Sequence, residues 1–128
     1  MTATRTQRPT TDTQNAHRET TTETVQDVTK FLVDLLGTTL VAELAAVEVA
    51  TVRRWSDGSN PPQTANERRL RNAAMISRQL LAVDAAFTVR AWFIGMNPQL
   101  GDDAPIDAIA ADRFKDVAAA ARAFINGG

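Results

Sequence analysis

Arg53 and Arg54 stand side by side in the segment TVRRWSDG. Arg68, Arg69 and Arg71 follow in ERRLR, and Arg78 comes seven residues later. A guanidinium carries a rigid fork of N–H donors that pairs bidentately with a guanine edge or a phosphate. These six arginines against Asp57 and Glu67 give residues 53–83 a net charge of +4, within a chain of net charge −1. Residues 1–24 are neutral, 25–52 carry −3 and 84–128 carry −2. Such a local basic band suits nucleic acid as a partner. Other chemistry has little to work with. There is no cysteine and one histidine, His17, so thiolate metal sites, iron–sulfur clusters, a cysteine nucleophile, a multi-histidine metal centre and a histidine triad are all excluded. Asp102-Asp103 and the other carboxylates have no partner base, no phosphate-cradling glycine loop and no metal-ligand spacing. The chain reads as a non-enzyme, without cofactor, metal or small-molecule substrate.

The elements that must position the arginines are helical. The chain has 22 Ala, six Gly, five Pro and no Tyr, which favours an all-α fold, and its 128 residues suit one ordinary domain or two very small ones. No run is long and apolar enough for a membrane span, and no apolar stretch follows the start as a secretory signal requires, so a cytoplasmic location is expected. Residues 1–23 form a threonine-rich tail too poor in apolar groups to offset its chain entropy, and it is read as disordered with His17 solvated. Thr24 and Asp27 have capping-box spacing. Val25, Val28, Phe31, Leu32, Leu35 and Leu36 continue at helical spacing, and Gly37 supplies a left-handed stop. Thr64 and Glu67 form a second box ahead of a long stripe of Leu70, Ala73, Ile76, Leu80, Val83 and Phe87. That stripe runs on through Val89, Trp92 and Phe93 to Gly95, with a break near Asp84. Residues 95–104 read as a loop, Pro105 starts a short helix with Ile106 and Ile109 inward, and Asp112 caps a last helix bearing Phe114, Val117, Ala118, Ala121, Phe124 and Ile125.

Between the first helix and Asn60-Pro61-Pro62, the segment TTLVAELAAVEVATVRRWSDG has the pattern of a helix-turn-helix. Such a pair needs a small residue where the helices cross, apolar residues inside, and a polar outward face on the second helix. Ala42 is the small crossing residue, and Val41, Ala45, Val47, Val52 and Trp55 fill the apolar places. Ala46 stands at the turn where glycine is usual. In this register the second helix exposes Glu48, Val49, Ala50, Thr51, Arg53 and Arg54. Arg53 and Arg54 are the principal DNA contacts, Val49 or Ala50 can meet a thymine methyl, Thr51 completes the face, and Arg68, Arg69 and Arg71 can add phosphate contacts. Trp55 is expected in the core.

The second half has a pattern of its own. Trp92-Phe93 is followed by Asn97-Pro98, Leu100-Gly101, Pro105 with Ile106-Asp107 and Ile109, and an amphipathic helix ending in glycine. Together with the upstream TVRRWSDGSNPPQ, this resembles the Xre/MbcA/ParS family of antitoxins over about residues 25–128. The resemblance implies an all-helical dimer whose C-terminal region covers the active-site cleft of a RES-domain toxin, a class that destroys cellular NAD, and whose helix-turn-helix binds its own operator DNA. On that basis the toxin-facing candidates are Trp92, Asn97, Pro98, Leu100, Gly101, Pro105 and the end of the last helix with its tail, Arg122 to Gly128, with Arg122, Phe124 and Asn126 foremost. The acidic balance after residue 83 suits an anion-binding cleft on such a toxin. With the chain ending two residues after Asn126, any segment reaching into the toxin is short.

The expected organisation is therefore a tail (1–23), a helix-turn-helix DNA-binding region (24–63) and a helical toxin-binding and dimerisation region (64–128). The leading function is a homodimeric antitoxin that also represses its own operon. The alternative is a stand-alone, prophage-like repressor whose C-terminal half only dimerises. A third is an interaction module whose helix pair no longer binds DNA.

Overall fold

The computed structural model describes residues 23–127, and every regular element among them is helical. Helix α1 (Val25–Leu36) opens on Thr24, whose hydroxyl accepts the Asp27 N–H at 3.1 Å and satisfies one of the first-turn donors that a helix leaves unpaired. Val28, Leu32, Leu35 and Leu36 are buried, and Phe31 lies 4.1 Å below the guanidinium of Arg78. Gly37 ends α1 at φ 90° and ψ 155°, a mirror-extended conformation rather than the left-handed one expected. That region is open essentially to glycine alone, and it lets α2 (Thr38–Ala45) begin on the very next residue.

Helix α3 (Val49–Asp57) follows a three-residue turn, and α1, α2 and α3 pack on one another. Its cap is Gly58, at φ 76°, where an added Cβ would stand 2.9 Å from Oε1 of Gln26. Gln26 in turn donates to the Ser56 carbonyl, tying α1 to the end of α3.

Helix α4 (Thr64–Leu81) touches every other helix except α3 closely and carries the centre of the core. Its cap is Gln63, so Thr64 already lies in the first turn and the expected Thr64–Glu67 box does not form; Glu67 accepts from Nε of Arg71 at 2.8 Å instead. Leu70, Ala73, Ile76 and Leu80 are buried as their spacing requires. The stripe does not continue to Phe93 in phase. The N–H groups of Val83 and Asp84 both return to the Leu80 carbonyl, the chain turns, and α5 (Ala86–Ile94) leaves in a new direction. Val83 and Phe87, expected inward, are consequently exposed, at 53% and 79%.

After α5 comes a 3-10 turn (Pro98–Leu100), then α6 (Pro105–Ala110) and α7 (Phe114–Ile125). Pro105 takes the first position of α6, with Ile106 and Ile109 buried. Asp112 does not cap α7. It sits at φ 63°, Arg113 occupies the cap position, and the Asp112 carboxylate receives two N–H groups of Arg69 at 2.9 and 3.3 Å. Two charge-assisted bonds from a guanidinium outcompete one backbone amide.

Buried residues from each of the seven helices among the described residues join in one apolar cluster. Among the described residues no helix is long and apolar enough to cross a membrane. Residues 1–22, including His17, and Gly128 lie outside the described residues. Glu23, expected to be the last residue of the tail, is held: Arg71 donates to its carbonyl at 2.9 Å and Arg78 pairs with its carboxylate at 2.7 Å.

Candidate functional site

The turn between α2 and α3 is built by backbone hydrogen bonds. The Ala46 N–H donates to the Glu43 carbonyl and the Val47 N–H to that of Ala42, the paired closure typical of a helix that ends in a left-handed residue. Ala46 is that residue, at φ 60° and ψ 46°. An L-residue pays steric strain there that glycine does not. Ala42, Val41, Leu44 and Ala45 are buried on α2, and Val52 and Trp55 on α3. Arg53, Arg54 and Ala50 point to solvent. Arg54 donates to the Thr51 hydroxyl at 3.2 Å, and Thr51 itself is half-buried. Val49 differs from the expected outward position: it is half-buried against the core, because it lies three residues before Val52 and shares its face. Asp57, four residues after Arg53 and exposed, places a carboxylate on the outward face. Sequence reading counted this residue only in the charge balance, although its helical spacing from Arg53 was visible.

The six arginines divide into two groups of three. Arg53, Arg54 and Arg68 are exposed. Arg69, Arg71 and Arg78 are drawn into the fold. Arg69 is only 17% exposed at its side chain; besides Asp112 it donates to the Ala45 carbonyl at 3.1 Å and to Oδ1 of Asn66 at 3.3 Å. It thus fastens the end of α2 to the start of α4 and to the α6–α7 turn, and its guanidinium is unavailable to an outside phosphate. Arg69, and Arg68 at longer range, hold the Asp112 carboxyl below the usual carboxylate range, the Arg69 hydrogen bond being the largest cause. Arg71 and Arg78 secure Glu23, and Arg71 also pairs with Glu67. The basic band of the sequence is therefore half surface and half internal clamp.

In the C-terminal half, Trp92, Asn97, Pro98 and Phe124 come together with Gln99, Ala120 and Ala123 around a half-open cleft of ≈ 260 Å³. The Trp92 ring meets Phe93 edge-on at 5.1 Å between centroids and Phe124 at 6.4 Å. Phe93 is fully buried and anchors Trp92, which is itself half-buried. The loop that forms one wall is closed on Asn97: its side chain accepts from the Gln99 N–H, its carbonyl accepts from Leu100 and Asp102, and its N–H donates to Asp103. Arg113 pairs with Asp103 at 3.1 Å and pins this loop to the start of α7. The remaining members of the expected partner-facing set are elsewhere. Leu100 and Pro105 are buried and hold the loop down, and Gly101 serves the turn at φ 65°. Arg122 and Asn126 are exposed but do not line the cleft. Ala123 falls within the expected stretch Arg122 to Gly128 and Ala120 lies outside it, although the alanine run of α7 carries the signal: side chains this short leave room beside Phe124.

No family model, no curated protein and no solved structure matches this chain.

Proposed function

We propose that this protein is the antitoxin of a type II toxin–antitoxin pair. Its α2–α3 unit is a DNA-binding helix-turn-helix that represses its own operon, and its C-terminal half binds and inhibits a RES-domain, NAD-degrading toxin. It acts in the cytoplasm, as a homodimer. The observation that carries the DNA-binding half is the division of α3: Val52 and Trp55 buried, Ala50, Arg53 and Arg54 outward. This is the arrangement a recognition helix needs to reach base edges while anchored from behind. Arg68 is a phosphate-contact candidate, whereas Arg69 acts within the fold. The toxin-binding half is supported by the resemblance and by the cleft that gathers Trp92, Asn97, Pro98 and Phe124.

Two measurements test the proposal. In electrophoretic mobility shifts on the DNA upstream of its own gene, the double variant Arg53→Ala, Arg54→Ala loses at least about 30-fold in affinity, from two side chains worth about 1–3 kcal/mol each. Its thermal unfolding stays within about 0.5 kcal/mol of the parent, since both side chains are exposed. Retained binding by the double variant refutes the assignment of α3. Co-expression with a RES-type toxin encoded next to it should restore growth and yield a co-purifying complex. DNA binding without rescue would make the protein a stand-alone repressor.

A further inference from the structure

Asn126-Gly127 is the one asparagine–glycine pair in the chain, and the fold leaves it open. Asn126 stands one residue past α7, at φ −82° and ψ 15°, and is exposed. Its side-chain amide has no hydrogen-bond partner among the described residues. Gly127 is exposed at φ 86°, and nothing would stand within 4 Å of a Cβ there. The pair is held by two backbone hydrogen bonds of the helix end: the Asn126 N–H donates to the Arg122 carbonyl at 2.9 Å and the Gly127 N–H to that of Phe124 at 3.1 Å. We infer that Asn126 is a site of spontaneous covalent modification, at which the Gly127 backbone nitrogen displaces the side-chain amide and water converts the residue to isoaspartate or aspartate.

The atoms balance with water as the only co-reactant. The Gly127 nitrogen gives up its proton to hydroxide and bonds to Cγ of Asn126. The side-chain nitrogen takes up a proton and leaves as ammonia, and a five-membered imide closes. Water then opens the imide. Breaking the bond to Cγ yields aspartate, and breaking the bond to the backbone carbonyl carbon yields isoaspartate, with the chain now running through Cγ. Glycine favours the attack because no Cβ shields its nitrogen. Ring closure requires Asn126 to rotate out of ψ 15° and the Gly127 N–H to release Phe124. Opening at a helix terminus costs little free energy. The other candidates are closed off. Asn60 and Asn97 precede prolines, which have no N–H to give up. Asn66 and Asn72 lie half-buried inside α4. Asp57-Gly58 shares the glycine, but a carboxylate is a poorer electrophile than an amide, and Oε1 of Gln26 stands 2.9 Å from where a Gly58 Cβ would be. The product places a carboxylate at the C-terminal end of α7, where the helix's own partial charge is already negative. Isoaspartate also inserts a backbone methylene directly after Ile125, next to Phe124 in the wall of the cleft.

The test needs neither DNA nor toxin, so its failure is separate from failure of the functional proposal. The full chain is held for days in mildly alkaline, heavy-oxygen water and then digested with trypsin, which cuts after Arg122. The peptide 123–128 should exchange one NH for one solvent oxygen and appear as isoaspartyl and aspartyl isomers. The intact protein should gain one negative charge on anion exchange, from −1 to −2. Peptides carrying Asn66 and Asn72 should keep their mass over the same time. Asn126→Gln should lose the charge shift, since glutamine would have to close a six-membered ring, while its circular dichroism matches the parent because the side chain is exposed. An unchanged 123–128 segment in the folded protein, under conditions that convert the free peptide of the same sequence, overturns the inference. So does a product containing aspartate without isoaspartate, which would mean direct hydrolysis with no part for Gly127.

Discussion

Helix α3 and helix α5 are each nine residues long and pack into the same core, yet they divide their surfaces in opposite ways. On α3 the inward arc is Val49, Val52 and Trp55, and the outward arc is Ala50, Arg53, Arg54 and Asp57. On α5 the inward arc is Val89 and Phe93, and the outward arc is mostly apolar, with Phe87, Ala91 and Ile94 beside the exposed Arg90. Water accepts the first surface as it stands, and its guanidiniums suit an anionic ligand. The second gains free energy only when another apolar surface covers it. One helix presents mostly charge to water and the other mostly apolar surface, and each exposes what its own fold does not need.

The largest test of that contrast is to remove the aromatic ring from each helix. Trp55 is 4% exposed and joins α3 to the core, so Trp55→Ala should cost about 3–5 kcal/mol in urea unfolding. Phe87→Ala should cost under about 0.5 kcal/mol, as a surface substitution does. Similar losses at both positions in the monomer would show that Phe87 is covered within one chain, and the contrast would collapse.

A smaller effect sits at the turn that aims α3. Ala46 holds a left-handed conformation at φ 60°, costing an L-residue about 1–2 kcal/mol. Glycine removes that strain but gives back about 0.4–1 kcal/mol through the greater freedom of the unfolded chain. Ala46→Gly should therefore stabilise the protein by roughly 0.5–1 kcal/mol. Destabilisation would mean that the Ala46 methyl makes contacts outweighing its strain.

Local patterns in the sequence located most of what they could see. The Thr24 cap, the inward set of α1, the burial of Val52 and Trp55 and the start of α6 at Pro105 all rest on short-range rules, and the structure has them where those rules put them. What was not legible depends on contacts between distant residues. Nothing local distinguishes Arg68, which is exposed, from Arg69, whose partners Ala45 and Asp112 lie 24 and 43 residues away. The break near Asp84 was legible, but the periodicity of Leu70 to Phe93 hid the change of direction it brings, because a stripe continues in sequence even when the helix bearing it turns. The cleft was half legible: Trp92, Asn97, Pro98 and Phe124 were named, but Ala120 and Ala123 show their importance only once α7 lies beside the loop.

The finest test asks how firmly the end of α2, which leads into α3, is tied to the turn before α7. Arg69 is the residue that would join them, bonded at once to the end of α2 and to Asp112 beside α7. Pairing lowers the folded-state titration of Asp112 beneath that of a free aspartate. Its contribution to stability is therefore fully present above the unfolded-state titration and is lost as the pH falls through the lower, folded-state one. The unfolding stabilities of the parent and Asp112→Asn should accordingly differ at neutral pH. The difference should persist into mildly acid solution and close only below the range where ordinary aspartates protonate. Because Asp112 is exposed, the difference should be small and should shrink further with added salt. A difference that stays constant into strong acid would assign the effect to packing of the substituted side chain, and Arg69 would then hold α2 through the Ala45 carbonyl alone.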